Sequence, residues 1–251
     1  MTDLDHVAIA TRDPDGAIAT LVGKLGGILV FGGDGNGFRW VQVRLGDATV
    51  GMTVEVLTVW RPEDNDFLER FLTRHGDRQH HLTFKVDNLA ATLERFRTAG
   101  YTPVNVNLSD PNWKEAFLLP REAHGTVVQL AQASAAEFSI AQEVERAQQG
   151  SEPLGEPVWW SKPPPRAEQR AVLSRAVLQT PSLPAAVGFF AGMLEADVAA
   201  QDRTSAELVW PGGARLLLEE RADAPPGFAR LEGELGAEVT LEISGASFVL
   251  A

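Results

Sequence analysis

The sequence predicts an α+β fold built from a repeated unit of one strand, one helix and three further strands. The first unit spans residues 4–59, and the same order returns over residues 80–131. The units align at their first strands, where His6-Val-Ala-Ile-Ala-Thr corresponds to His81-Leu-Thr-Phe-Lys-Val. A third, weaker return begins at Leu173. Such a repeat has to be recognised before a fold is assigned, because repeated units bury their apolar faces against one another.

Each element of the first unit has a local signal. Alternating apolar residues from Leu4 to Ala10 predict a strand. Asp13-Pro14-Asp15 is a typical helix start, and apolar residues at helical spacing predict a helix over 17–25 that Gly26-Gly27 ends. Gly-rich turns then separate three extended stretches, at 28–31, 38–44 and 50–59.

The second unit is connected to the first by a helix predicted over 62–75. Residues 80–86 predict its first strand, and Asp87-Asn88 starts a helix over 89–99 that ends at Gly100. The three remaining strands are predicted at 102–106, 115–119 and 126–131.

These patterns divide the chain into three predicted parts. Residues 1–134 form a domain of two units, residues 135–169 form a helix and a proline-rich strap, and residues 170–251 form an incomplete unit. The strap contains Pro163-Pro164-Pro165, and its Trp159-Trp160 pair needs burial, which favours a segment lying over a surface. The last part is predicted to contain a strand, a helix, a hairpin and a final strand, at 173–180, 183–194, 206–210 with 214–220, and 237–243.

Composition excludes several classes of function. With 251 residues, 44% of them hydrophobic, the chain can bury a sizeable core. It contains no cysteine, which excludes disulfides, thiolate metal sites, iron–sulfur clusters and a cysteine nucleophile. The net charge of −12 disfavours binding to nucleic acid or to an anionic membrane. No apolar run is long enough to span a bilayer and the first residues are not typical of a signal peptide, so we expect a cytoplasmic protein.

Four segments of the two units resemble the vicinal-oxygen-chelate superfamily, which includes glyoxalase I, methylmalonyl-CoA epimerase, extradiol dioxygenases and bleomycin-resistance proteins. The segments are Leu4-Asp-His-Val-Ala-Ile-Ala, Met52-Thr-Val-Glu-Val-Leu, His80-His-Leu-Thr-Phe-Lys-Val-Asp and Leu119-Pro-Arg-Glu-Ala-His-Gly-Thr-Val-Val-Gln-Leu. The likeness is strongest to methylmalonyl-CoA epimerase. It implies paired βαβββ modules whose curved sheets enclose a cup, with a diverged, partial third module after them.

The resemblance implies one metal ion in the cup, held by His6 and Glu55 of the first module and His81 and Gln129 of the second. The residues make independent sense of this set. The histidines occupy equivalent repeat positions, and Glu55 and Gln129 lie among apolar strand neighbours, where a bare carboxylate is costly. Two imidazoles, a carboxylate and an amide oxygen suit divalent Co, Ni, Zn, Mn or Fe. The implied partner is a small-molecule substrate that offers vicinal oxygens.

The ligand order departs from the epimerase pattern, in which the first module typically supplies Gln and the second Glu. An amide cannot take a proton from carbon, so Gln129 cannot act as a base. Glu55 and Glu115 are therefore the candidate catalytic carboxylates. The third module offers Arg175 at the position of His6 and Leu217 or Leu218 at that of Glu55, so no second metal site is expected there.

Three functions stay open on the sequence. The first is a metal-dependent lyase, isomerase or epimerase acting at a carbon next to a carbonyl. The alternative is a metal-free binding protein of the bleomycin-resistance type. A ring-cleaving extradiol-type dioxygenase is a second alternative, although those enzymes place Glu where this chain has Gln129. The third module is expected to be a cover over the other modules, a homodimer surface or an evolutionary relic.

Overall fold

The structure is a computed structural model that describes residues 1–134, 140–149, 154–155 and 164–251. Most of the predicted strap lies outside the described residues, and so does the Trp159-Trp160 pair, for which burial is predicted. The division into parts at residues 134 and 169 stays a prediction.

Residues 1–134 contain the βαβββ order twice, as the sequence predicts. The elements are β1 (Thr2–Ala10), α1 (Pro14–Leu21), β2 (Ile28–Gly35), β3 (Phe38–Gly46), β4 (Gly51–Val59), α2 (Phe67–His75), β5 (Arg78–Val86), α3 (Leu89–Thr98), β6 (Val104–Asn107), β7 (Trp113–Leu118) and β8 (Val127–Ala133). Helix α1 starts earlier than predicted, because the side chain of Asp13 accepts from the N–H of Gly16 and Pro14 takes the first helical position. The connecting helix α2 starts later, since Asn65 accepts from the N–H of Phe67.

The remaining described chain contains more strands than the sequence predicts. The elements are α4 (Ile140–Gln148), β9 (Leu154–Gly155), β10 (Val172–Thr180), α5 (Leu183–Val187) with a π-helical continuation (Gly188–Met193), β11 (Asp197–Gln201), β12 (Ser205–Val209), β13 (Arg215–Glu220), β14 (Gly227–Glu234), β15 (Val239–Ile243) and β16 (Ala246–Leu250). Strands β9, β11, β14 and β16 are the additions. Strand β10 to strand β13 is therefore a third βαβββ succession.

The strands form two sheets with related strand orders. The nine-stranded sheet runs β6-β7-β8-β5-β1-β4-β3-β2-β9, and the seven-stranded sheet runs β11-β12-β13-β10-β14-β16-β15. In both, the first strand of a module pairs in parallel with its last strand, as β5 does with β8 and β10 with β13. The second sheet repeats the first seven positions of the nine-stranded order.

Contacts divide the described chain into two compact units. The first contains Met1–His6, residues 81–134 and Arg175–Arg230, and the second contains Val7–His80, residues 140–149, 154–155 and 164–174, and Leu231–Ala251. The division passes through strand β1 after His6 and through strand β5 after His80.

Each unit has its own apolar core. In the first, Phe84 packs against Phe190 and Trp210, with ring centroids 6.2 and 5.1 Å away. In the second, Leu68 and Leu72 of α2 join a buried cluster on strands β1 and β4 that also contains Ala8, Ala10 and Leu57. Residues two apart on a strand point to the same side of the sheet, so Leu57 and Glu55 share one side of β4. Helix α2 packs on that side.

None of the helices in the described ranges is both long enough and apolar enough to cross a membrane.

Candidate metal centre

The two equivalent histidines lie side by side. His6 on β1 and His81 on β5 have ring centroids 5.8 Å apart and an angle of 64° between ring planes. Their exposed fractions are 1% and 4%, so both imidazoles are shielded from bulk water. Phe117 packs edge-on against His81, with centroids 6.4 Å apart.

Glu55 belongs to the second of the two compact units. It lies on β4 and is buried, with 7% of its surface exposed. Strand register places Gln42 opposite Glu55, and the Gln42 side-chain amide donates to Oε2 of Glu55 at 3.3 Å. Of the four residues expected to bind the metal, the first unit contains His6, His81 and Gln129, and the second contains Glu55.

Gln129, the fourth expected ligand, reaches His6 through Thr83. Strand register pairs Thr83 of β5 with Gln129 of β8. The Thr83 hydroxyl donates to Oε1 of Gln129 at 2.6 Å, and its oxygen lies 2.9 Å from Nε2 of His6. Which of the two atoms donates in the contact between Thr83 and Nε2 of His6 depends on the tautomer of the imidazole.

Asp5 fixes the other side of the His6 ring. Its Oδ2 accepts from Nδ1 of His6 at 2.7 Å, and its Oδ1 accepts from Nζ of Lys85 at 2.7 Å. Burial disfavours the charged carboxylate, but Lys85 and His6 more than offset this and hold the pKa of Asp5 well below its ordinary value. A carboxylate behind a histidine sets its tautomer and orientation, which leaves Nε2 as the atom available to a metal.

Glu115 has a corresponding relation to Gln129. Its Oε2 accepts from Nε2 of Gln129 at 2.7 Å and from Nε1 of Trp113 at 3.2 Å. A carboxylate offers only acceptors, so the Gln129 amide turns its nitrogen toward Glu115 and its oxygen toward Thr83. Of the two candidate catalytic carboxylates, Glu115 is thus the one placed to orient a ligand side chain.

His80 belongs to the surroundings of Glu55. Its ring packs against Phe67 and Phe71 of helix α2, with centroids 6.1 and 4.5 Å away. Burial lowers the pKa of His80 to about 4, although the charge of Glu55 opposes this. His80 is therefore neutral at pH 7 and contributes an uncharged ring to the surroundings of Glu55.

Sequence reasoning did not identify Asp5 or Thr83 as part of this site. Neighbours on a strand normally point to opposite faces, so alternation does not predict that Asp5 contacts the ring of His6. Thr83 is an ordinary strand former with no chemical signature. The only available signal was position, since Thr83 follows His81 by two residues and must share its face.

The residues present fit a divalent metal ion. Two imidazoles, one carboxylate and one amide oxygen form a donor set of the kind that Zn, Ni, Co, Mn and Fe accept. The carboxylate of Asp5 behind His6 is the support that metal-bound histidines commonly have.

The third βαβββ succession lacks this donor set. Arg175 on β10 stands where the alignment places a histidine. Two residues later, Val177 pairs with Leu217 as Thr83 pairs with Gln129, so Leu217 takes the place of the amide ligand. Arg175 instead donates to Glu207 at 2.9 Å.

Comparison with known proteins gives one family and several solved structures. Residues 5–117 match the family described as Glyoxalase/Bleomycin resistance protein/Dioxygenase superfamily, which confirms the resemblance stated above. No curated protein matches the chain.

A structure of a hypothetical protein from Staphylococcus aureus covers 100% of this chain and 99% of its own, with a TM-score of 0.65 and 9% identity. This similarity shows a shared fold, and with the family match it confirms the predicted fold class. Two methylmalonyl-CoA epimerases are also similar. That of Mycobacterium tuberculosis covers 53% of this chain and 88% of its own, at 26% identity and a TM-score of 0.46. That of Streptomyces coelicolor, in complex with 2-nitronate-propionyl-CoA, covers 55% and 99%, at 20% identity and a TM-score of 0.47.

Proposed function

Residues 5–117 match the model of the Glyoxalase/Bleomycin resistance protein/Dioxygenase superfamily, and on this premise we propose that the protein is a metal-dependent lyase or isomerase acting at a carbon next to a carbonyl. One observation carries the proposal: His6 and His81 are buried with ring centroids 5.8 Å apart, and Thr83 links His6 to Gln129 in the same unit. Buried imidazoles and carboxylates are costly unless they are hydrogen-bonded, paired or bound to a metal. The proposed partner is a small molecule bearing vicinal oxygens.

In this proposal the four expected residues hold one ion. His6 binds through Nε2, because Asp5 accepts from its Nδ1. Gln129 binds through Oε1, because Glu115 accepts from its amide nitrogen. His81 and Glu55 complete the set.

The chemistry divides between the ion and the chain. When bound, a divalent ion supplies a Lewis acid that polarises a substrate carbonyl and lowers the energy of an adjacent carbanion. Glu55 takes the proton from the neighbouring carbon, since Glu115, the other candidate carboxylate, already accepts from Gln129 and Trp113. The ring of Phe117 beside His81 supplies an apolar contact for a substrate. Gln129 orients but cannot accept the proton.

Metal retention tests the first half of the proposal. The full chain is loaded with Ni, Co, Zn, Mn or Fe in turn and dialysed, and bound metal is measured. We expect one ion per chain in the wild type and none in His6→Ala. His75→Ala, at the exposed end of α2, is the matched control and keeps the ion. A wild-type chain that retains no metal contradicts the proposal.

Proton exchange tests the second half. The metal-loaded protein is incubated in deuterated water with acyl thioesters and with hemithioacetals, and exchange of the α-proton is followed by NMR. We expect Glu55→Gln to abolish exchange while metal is retained, and Glu94→Gln, on the exposed face of α3, to leave it unchanged. Glu115→Gln distinguishes the other candidate base. Exchange that survives both the Glu55 and the Glu115 substitution refutes the assignment of a carboxylate base.

A second candidate function is the metal-free binding of a small molecule. The Thr83 hydroxyl, which joins His6 and Gln129 directly, favours it. Absence of metal retention, together with tight binding of a planar ligand that His81→Ala or Phe117→Ala weakens, supports this function over the first. The cytoplasmic location and the homodimer stay predictions.

A further inference from the structure

Thr83 is the most enclosed polar side chain of the site. It lies in the middle of β5 with an exposed fraction of 0%. Its oxygen is 2.9 Å from Nε2 of His6 and 2.6 Å from Oε1 of Gln129. Through one hydroxyl it therefore ties a residue of the first βαβββ module to a residue of the second.

Nε2 of His6 and Oε1 of Gln129 are also the atoms through which these two residues would bind a metal. Nδ1 of His6 is engaged by Asp5 at 2.7 Å, so Nε2 is the ring atom left for an ion. The nitrogen of the Gln129 amide is engaged by Glu115 at 2.7 Å, so Oε1 is its only ligand atom. The hydroxyl of Thr83 and a metal ion thus require the same nitrogen and the same oxygen.

The hydroxyl of Thr83 and a metal ion cannot occupy the same position. A divalent ion stands about 2.0–2.2 Å from its nitrogen and oxygen ligands. An ion bound to Nε2 and Oε1 enters the space where the hydroxyl now lies, so the hydroxyl has to turn away and lose both hydrogen bonds. A β-branched side chain on a strand has few other rotamers, and here it is fully buried.

From this geometry we propose that Thr83 sets the metal affinity of the site, by bracing His6 and Gln129 in the metal-free protein and competing with the ion for their ligand atoms. The inference rests on the proposed metal-dependent function and deepens it. It makes Thr83 a positioning residue that restricts the site to ions able to displace the hydroxyl.

The direction in which metal affinity changes on substitution distinguishes this role of Thr83 from simple structural support of the ligands. Thr83→Val keeps the branched shape and removes the hydroxyl, which leaves Nε2 of His6 and Oε1 of Gln129 without this partner in the metal-free state. That state is then destabilised, whereas the metal-bound state loses nothing it used. We expect metal affinity to rise about tenfold, the equivalent of one to two buried hydrogen bonds. A residue that merely supports the ligands gives the opposite sign.

The experiment measures the affinity of Ni²⁺ and Zn²⁺ for the full chain by isothermal titration, in wild type, Thr83→Val and Thr83→Ser. Thr83→Ser is the matched control, because it keeps the hydroxyl and should retain an affinity close to that of the wild type. Urea unfolding of the metal-free proteins is the second readout, and Thr83→Val should unfold at lower urea concentration than Thr83→Ser. Circular dichroism establishes that each variant is folded.

Each outcome decides something. Tighter binding in Thr83→Val with unchanged binding in Thr83→Ser supports the proposal. Equal or weaker binding in Thr83→Val overturns it and leaves the metal centre intact. Binding in Thr83→Val but not in wild type supports the role of Thr83 and overturns metal-dependent catalysis in the natural chain. No binding by any variant overturns both.

Discussion

Replacing Asp5 with Asn isolates the support behind His6. The Asp5 carboxylate accepts from Nδ1 of His6 and from Nζ of Lys85, both at 2.7 Å. Asn has almost the same shape but only one acceptor oxygen and no charge. Asp5→Asn therefore breaks at least one of the two contacts and leaves Lys85 without its counter-charge.

The magnitude follows from the burial of the pair. A hydrogen bond to a charged group contributes about 1.5–3 kcal/mol, and an abandoned buried charge costs about 3–5 kcal/mol. The Lys85 side chain keeps 24% of its exposure, so water relieves part of that cost. We expect the free energy of unfolding of the metal-free protein to fall by about 2–3 kcal/mol. Metal affinity should fall about 10- to 100-fold, as for other carboxylates behind a metal-bound histidine.

Two measurements and one further variant separate these effects. Urea unfolding at pH 7 gives the stability change, and isothermal titration with Zn²⁺ gives the affinity change. Adding Lys85→Met to Asp5→Asn removes the abandoned charge, so stability should partly return while metal affinity stays low. Wild-type metal affinity in Asp5→Asn refutes the argument that this carboxylate orients His6.

Three further predictions concern stability and are measured by urea unfolding. His124 is half-buried and burial lowers its pKa, so the unfolded chain binds more protons and stability should fall as pH drops below the ordinary histidine pKa of about 6.5. Asn tolerates the φ of 53° at this position, so His124→Asn should lose less stability than wild type between pH 7.5 and 5.5. Equal losses in the two proteins contradict this. Leu68→Ala should cost about 2–4 kcal/mol, because Leu68 is fully buried against Ala8, and a cost below about 1 kcal/mol shows that this packing matters little. Gly37→Ala should cost about 1–3 kcal/mol, since φ is +87° and a Cβ there meets the backbone oxygen of Asn65; an unchanged midpoint contradicts the strain.

The parts of the fold that the sequence predicted are those with local and repeated signals. Strands β1 and β5 alternate apolar residues and begin equivalent modules, which was enough to pair His6 with His81 before any coordinates. Strand β11 has no such signal, because all five of its residues are exposed at the edge of a sheet. Strand β14 contains Gly227, Gly233 and three charged side chains, a composition that is typical of loops.

The contacts within the site depend on register, which sequence patterns do not determine. That the Thr83 hydroxyl meets Gln129 follows from the parallel pairing of β5 with β8, and a shift of one residue removes it. That Asp5 reaches the His6 ring contradicts simple alternation of strand neighbours. The four expected ligands followed from the resemblance and the repeat, whereas the hydrogen bonds of Asp5, Thr83 and Glu115 required the structure.

The discontinuous make-up of the two units has a consequence for biosynthesis. The unit that contains His6 and His81 also needs Arg175–Arg230, and the other unit needs Leu231–Ala251. A ribosome that adds about 5–20 residues per second therefore releases β1 many seconds before the last strands of either unit exist. Until then, the early strands have unpaired edges and exposed apolar faces, because their partners lie far along the chain. Chaperone dependence and low yield at high expression rates are the expected signs of that delay.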